Sequence, residues 1–320
     1  MSERVAVTGA TGFIGRQLAA HFVSHGIDVA AVMRPESRAR APEGVTTIVA
    51  PLERAALTAA LTGVHAIVHL AGVVSSVRDE DYARVNVEGT RAVAAAARTL
   101  GARLIHVSSL AAAGVASAAH PIGEDDPPHP LNAYGRSKLE SEGVVAAVDG
   151  LTWTILRPGV VYGPGDRALL PLFRVASRGF APLVGRVDAA YTFVHVRDLV
   201  RVIDAAVASP RSGDTLFVGH AEPVTPRGLA DGIREALGTP VTIVPVPRLI
   251  LQVLATVGDV AGRISGRPLP LNGRRYAEIS AEGFVCRVDR LRERLGVEAR
   301  IGLREGLKET AGWYREHAWL

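Results

Sequence analysis

Residues 7–15, which read V-T-G-A-T-G-F-I-G, constrain this chain more than any other stretch. A short apolar run at 5–7 leads directly into Gly9, Gly12 and Gly15, and Phe13, Ile14, Leu18, Phe22 and Val23 follow at helical spacing. Strand, tight turn and helix start together make an anion site. The first N–H groups of a helix have no intrahelical partner, and the helix dipole adds partial positive charge there. Gly9 suits the sharp turn, Gly12 the approach of backbone to a pyrophosphate, and Gly15 the packing of helix on strand. Glycine turns also join strands to helices where no ligand binds. The place of this one, after an apolar strand at the head of the chain, favours a dinucleotide. Thr11, Phe13 and Ile14, inside the turn, are expected to share that contact.

Apolar runs then alternate with helical patterns. Strands are expected at 28–33, 45–49, 66–70 and 104–107, with helices at about 52–61 and 80–100. This alternation predicts an α/β fold: a doubly wound parallel sheet with right-handed crossovers and helices on both faces. Ligands in such sheets sit at the carboxyl ends of the strands. The residues that follow each strand are therefore the candidates for contact, among them Arg34, Leu70, Ala71, Gly72, Ser108 and Ser109. A Pro-, Asp- and Glu-rich loop at 118–130 precedes a helix at 134–148 and a strand at 154–156. After Gly159 the pattern loosens, with short strands near 192–196 and 216–218 and helices near 197–208, 226–237, 247–264 and 303–317. The expected division is a dinucleotide-binding domain over 1–160 and a smaller substrate lobe over 161–320, part of 190–220 returning to the first.

At 48% hydrophobic, the 320 residues can bury a sizeable core. No apolar run reaches the roughly 18 residues of a membrane span; the longest, 249–260, is interrupted by Gln252 and Asp259. With the first strand at the head of the sequence, no leader is expected before it. The single cysteine, Cys286, offers neither an internal disulfide nor a metal cluster, so a reducing, cytoplasmic setting is expected. The net charge of +4 comes from 36 basic and 32 acidic residues with no basic block, which argues for a mixed solvated surface and against nucleic acid.

All but two of the basic residues are Arg, the exceptions being Lys138 and Lys308. Lys138 stands four residues after Tyr134, so a helix puts both on one face. A compact ammonium near a phenol stabilises phenolate, lowers the Tyr pKa and fits Tyr134 to exchange a proton with a ketone or alcohol. A solvated helix face would show the same spacing. Ser108 and Ser109 end the fifth strand, where a hydroxyl can hold a substrate oxygen. Asn86, in N-V-E-G-T, either holds a water that relays protons to Lys138 or bonds to backbone.

With these residues in place, the chain resembles the extended short-chain dehydrogenases/reductases, the NAD-dependent epimerase/dehydratase family. The matching motifs are TGATGFIG at 8–15, HLAG at 69–72, NVEGT at 86–90, VSS at 107–109, YGRSK at 134–138, RPGVVYGPG at 157–165 and FVHVRDL at 193–199. The resemblance covers nearly the whole chain in the family's order. It implies a Rossmann NAD(P) domain with a C-terminal substrate lobe, and Tyr134 as catalytic acid/base. It further implies that Lys138 bonds the nicotinamide ribose and that Ser109 orients the substrate oxygen. Asn86 would support reprotonation, and Pro158, Val160 and Val161 would line the nicotinamide side. Where NAD-using relatives carry Asp, this chain has Met33 followed by Arg34, so NADP(H) is the expected cofactor, with NAD the alternative. Val160 and Tyr191 stand where nucleotide-sugar enzymes of the family carry diphosphate-binding Asn and Arg. That departure favours the ketone-reductase and hydroxysteroid-dehydrogenase-like branch, and a ketone/secondary-alcohol reaction on a moderately apolar small molecule. The alternatives are an NAD-dependent nucleotide-sugar epimerase or dehydratase and a non-catalytic NADP sensor. The Ala- and Val-rich helices at 80–100 and 134–148 are expected to pair in a homodimer.

Overall fold

Seven parallel strands form the central sheet of the computed structural model, which describes residues 4–320. They are β1 (Arg4–Thr8), β2 (Asp28–Met33), β3 (Thr46–Val49), β4 (Ala66–His69), β5 (Arg103–Val107), β6 (Trp153–Pro158) and β7 (Asp214–Val218), in the order β7-β6-β5-β4-β1-β2-β3. The central strands are continuous apolar runs because both faces are covered, whereas β3, at the edge, is mostly exposed. Helices Phe13–Ser24 and Val196–Ala208 bury Leu18, Phe22, Leu199 and Ile203 on one face of the sheet. Leu57, Val93, Ala97 and Ile67 fill the core on the other. The strand order reverses between β1 and β4, and this opens a crevice above their carboxyl ends.

The region expected as one helix over 80–100 is three pieces. A turn at Glu80–Tyr82 is followed by a π-helical segment, Ala83–Glu88, and by the α-helix Gly89–Leu100. Asn86 sits in the π segment, and the Thr90 hydroxyl donates to its carbonyl at 2.6 Å. Such wide turns recur at functional sites. The helix Pro226–Leu237 begins and ends where its Thr, Pro and Gly signals place it: the Thr225 hydroxyl accepts from Gly228 N at 3.0 Å, and Gly238 follows at φ 67°.

Beyond β6 the chain builds a second core around Tyr162, Phe173, Ile233, Leu307 and Tyr314. Its short strands pair as Val160–Tyr162 with Phe193–His195, Phe180–Leu183 with Thr242–Pro245, and Ala190–Tyr191 with Gly283–Phe284. Helices Leu170–Ala176, Gly273–Ser280 and Asp289–Leu295 are additions to the expected set. Each has only seven or eight residues, too few to display an apolar period in the sequence. No helix among the described residues is long and apolar enough to cross a membrane.

A polar column runs through the middle of the sheet. His69 lies between the Thr8 hydroxyl, 2.7 Å from Nδ1, and the Thr90 hydroxyl, 3.0 Å from Nε2. Its register partner His106 stacks on it at 5.5 Å and meets the Ser141 hydroxyl at 2.9 Å. Burial, with the Lys138 charge adding to it, lowers His69 to about 3 and holds His106 well below the usual imidazole range. Both rings are therefore neutral in the fold, while the unfolded chain takes up protons near the ordinary value of about 6.5. Stability is full above that value and falls as the pH drops from about 6.5 toward 3. The urea midpoint should fall between pH 7 and pH 5, and the His69→Gln/His106→Gln variant should show a smaller fall over the same interval.

Candidate active site

The glycine turn has the geometry of a phosphate cradle. Gly9 is at φ 72°, and a Cβ there would lie 2.8 Å from the Ala71 nitrogen; a Cβ on Gly15 would lie 2.3 Å from the Gly9 carbonyl oxygen. The turn therefore presses against the end of β4, where Thr8 Oγ1 accepts from Ala71 N at 3.2 Å. Gly12 is the N-cap of helix Phe13–Ser24, and no side chain caps that start, so its N–H groups face the crevice without competition. Phe13, Ile14, Leu70 and Gly72 line the cavity beside it. This arrangement fits a dinucleotide. At the end of β2, Arg34 is exposed and pairs with Glu36 at 3.4 Å. Arg16, a residue outside the expected set, donates to Thr11 O at 3.1 Å and to Arg40 O at 3.0 Å. It thereby ties the arginine-bearing 34–40 loop to the start of the helix.

Ser109, Tyr134 and Lys138 meet on one wall of the same cavity. Helix Ala133–Ala146 carries the last two, and Asn132 caps it, its Oδ1 accepting from Gly135 N at 2.9 Å. Ser109 caps the short turn Leu110–Ala112, accepting from Ala111 N at 3.2 Å. The electrostatics differ from the expectation that Lys138 lowers the Tyr134 pKa. Tyr134 is only partly shielded from solvent, yet it sits deep among protein atoms, and that depth pushes its phenol up to about 12. The hydrogen bond from Ser109 opposes the rise, and the Glu278 carboxylate adds to it. Lys138 is buried and donates from Nζ to Val107 O at 2.8 Å; burial lowers it to about 8, against the pull of Glu142. The physical reason is that i to i+4 spacing fixes which face two side chains share, whereas the dielectric around them fixes the sign of the shift.

Asn86 bonds to the backbone of the loop after β4. Its Oδ1 accepts from Val73 N at 2.7 Å, and its Nδ2 donates to Val73 O at 3.0 Å and to Ser137 Oγ at 2.9 Å. It clamps the loop after β4 to the helix of Tyr134. Ser108 turns its hydroxyl onto Glu142, which also forms a buried bidentate pair with Arg157 at 2.6–3.1 Å. Pro158, Val160, Val161 and Tyr191 line the cavity. Two arginines of the second lobe are already engaged: Arg174 donates to Trp319 O at 3.1 Å and Arg186 pairs with Asp188.

The cavity holds about 930 Å³. Leu172, Val184, Leu229, Ile233, Leu251 and Leu271, all from beyond β6, give its lining a large aliphatic part. Its roof is helix Gly273–Ser280, which brings in Arg274, Arg275 and Glu278. Sequence reasoning missed these three. The only signal was the Asn272 N-cap, which accepts from Arg275 N at 3.0 Å. Asn132 Nδ2 donates to Glu278 Oε1 at 2.8 Å, linking the roof to the Tyr134 helix.

The ion pair beneath the site is nearly solvent-free. Removing one partner should leave the other charged and unpaired, a loss of about 3–5 kcal/mol. We expect Glu142→Ala to lower the urea unfolding midpoint accordingly and Glu142→Leu/Arg157→Met to recover most of the loss.

Comparison with known proteins places this geometry. The pattern of the NAD dependent epimerase/dehydratase family matches residues 5–219. The chain is 29% identical over 326 residues to the ceramide reductase of Caulobacter vibrioides, covering 99% of this chain and 96% of that protein. It is 31% identical over 261 residues to dTDP-6-deoxy-L-talose 4-dehydrogenase (NAD(P)(+)) of Kitasatospora kifunensis, covering 76% and 82%. Its structure superposes on that of MoeE5 in complex with UDP-glucuronic acid and NAD with a TM-score of 0.79 and 26% identity, covering 98% of this chain and 99% of the other. The chain thus belongs to the NAD dependent epimerase/dehydratase family, as an NAD(P)-dependent enzyme of the oxidoreductase type.

Proposed function

We propose that this enzyme is an NADP(H)-dependent reductase that interconverts a ketone and a secondary alcohol on a moderately apolar small molecule. The observation that carries the reading is that Ser109, Tyr134 and Lys138 line one cavity together with many aliphatic side chains. The name of the ceramide reductase relative, whose substrate class is a lipid, supports the same direction. In this reading residues 1–160 hold the cofactor, and 161–320 supply the substrate walls.

The Gly9–Gly12–Gly15 turn would hold the pyrophosphate, and Arg34, with Arg38 close behind it in the chain, would grip a 2′-phosphate. When bound, NADP(H) supplies the hydride. Tyr134 then gives its proton to the carbonyl oxygen in the reductive direction. Its high pKa keeps that proton in place at neutral pH. Ser109 donates a hydrogen bond to the same oxygen and stabilises its developing charge. Lys138, held by Val107, presents its ammonium to the cofactor ribose and restores the tyrosine proton. Asn86 acts by position, keeping Val73 and Ser137 together beside the reacting groups.

A second reading, a nucleotide-sugar epimerase or dehydratase, draws on Arg274 and Arg275 in the cavity wall. Both are engaged, Arg275 with Glu278 at 3.0 Å and Arg274 over the Tyr82 ring at 4.8 Å from its centroid. Neither is presented as a free anion grip, and the aliphatic lining supports the first reading.

Tyr134→Phe should lower turnover on a reducible ketone by about 10²–10⁴-fold with NADPH affinity little changed, measured by steady-state kinetics and fluorescence titration. Near-normal turnover would remove Tyr134 from its role. The Michaelis constant for NADPH should be at least about tenfold below that for NADH, and Arg34→Ala should narrow the gap; a tenfold preference for NADH would refute the cofactor assignment.

A further inference from the structure

Helix Arg248–Ser265 divides its circumference into three strips. Leu251, Ala255, Gly258 and Gly262 face inward, and a Cβ on Gly258 would lie 2.0 Å from the Leu271 carbonyl oxygen. The helix is thus pressed onto the 266–272 loop, part of which lines the cavity. A polar strip carries Gln252, Thr256, Asp259 and Arg263. The third strip is aliphatic and open: Leu249, Ile250, Val253, Leu254, Val257 and Val260 are each 50–71% exposed, and Ile264 is 83% exposed. At 100° per residue these seven side chains span a single face without a charged or hydrogen-bonding group among them. Isolated surface aliphatics are ordinary, but a row along an 18-residue helix marks a contact with something apolar.

We propose that this helix lies in the surface of a lipid bilayer and that the apolar substrate passes from the membrane into the cavity along it. Two further observations select lipid over a second copy of the chain. The helix borders the cavity: Leu251 on its inward strip lines it, and Leu269, in the loop that follows the helix, lines it and is also 40% exposed. Exposed arginines also stand at the ends of the strip, Arg248 at the start and Arg263 and Arg267 at the finish. The acid on the helix, Asp259, turns away to accept from Gly273 N at 3.1 Å. Basic residues at both ends of a helix with an aliphatic face match anionic headgroups above acyl chains. The helix rests on the bilayer and does not cross it. The account of substrate delivery rests on the function proposed above; lipid binding itself does not.

The test is co-sedimentation of the full chain with phosphatidylcholine vesicles containing about one third phosphatidylglycerol, in the absence of substrate. Wild type should bind, more weakly to phosphatidylcholine alone, and Val253→Glu/Val257→Glu should lose at least tenfold of that binding with NADPH affinity unchanged. Absence of binding by the wild type, or equal binding by the variant, overturns the proposal. So does a dimer without lipid that the variant converts to monomer while neither form binds vesicles, which gives the face to a second copy. Vesicle binding without reduction of any ketone keeps this inference and refutes the catalytic one.

Discussion

The whole site depends on two places where a side chain cannot fit. Gly9 and Gly15 let the first turn close against the end of β4 and let the first helix start directly over β1, with 2.3 Å separating an added Cβ on Gly15 from the Gly9 carbonyl. From that contact the rest follows. The helix dipole points at the crevice, β1 and β4 become neighbours with the crevice above them, and β5 delivers Ser109 and the Val107 carbonyl to its far side. A methyl group at either glycine would have to displace backbone, of the segment just after β4 for Gly9 and of the turn itself for Gly15, and a close-packed interior has no slack for such a shift.

Beneath the reacting groups the protein arranges charge with little water present. Lys138, Glu142 and Arg157 are all buried, with Ser108 hydrogen-bonded to the carboxylate. Glu142 thus neutralises Arg157 and also moderates the fall in the Lys138 pKa. A buried ion pair of this kind contributes little net stability, because desolvation offsets its attraction. What it supplies is a fixed electrostatic floor under Tyr134 and Lys138.

The sequence makes the first half of the fold readable almost strand by strand, since parallel strands buried on both faces are continuous apolar runs with turn residues between them. Tyr134 and Lys138 are legible for a local reason, the four-residue spacing. The roof is not. Arg274, Arg275 and Glu278 belong to an eight-residue helix set in a Pro- and Gly-rich stretch, and they reach the cavity through contacts from more than a hundred residues away, as between Asn132 and Glu278. The direction of the Tyr134 shift is hidden for a related reason. It depends on how much protein surrounds the phenol, which no local pattern records.

The side chain of Asn132 serves two elements at once. One end of its amide holds the first turn of the Tyr134 helix, a cap of the kind that contributes about 1 kcal/mol, and the other end holds Glu278 in the roof. Roof and helix terminus therefore share a single rotamer. Lifting the roof removes a restraint on the cap, and fraying the helix start loosens the roof, by the same free energy in both directions. Entry of a molecule under the roof and the setting of the tyrosine are in that sense one equilibrium, read from two ends of an asparagine.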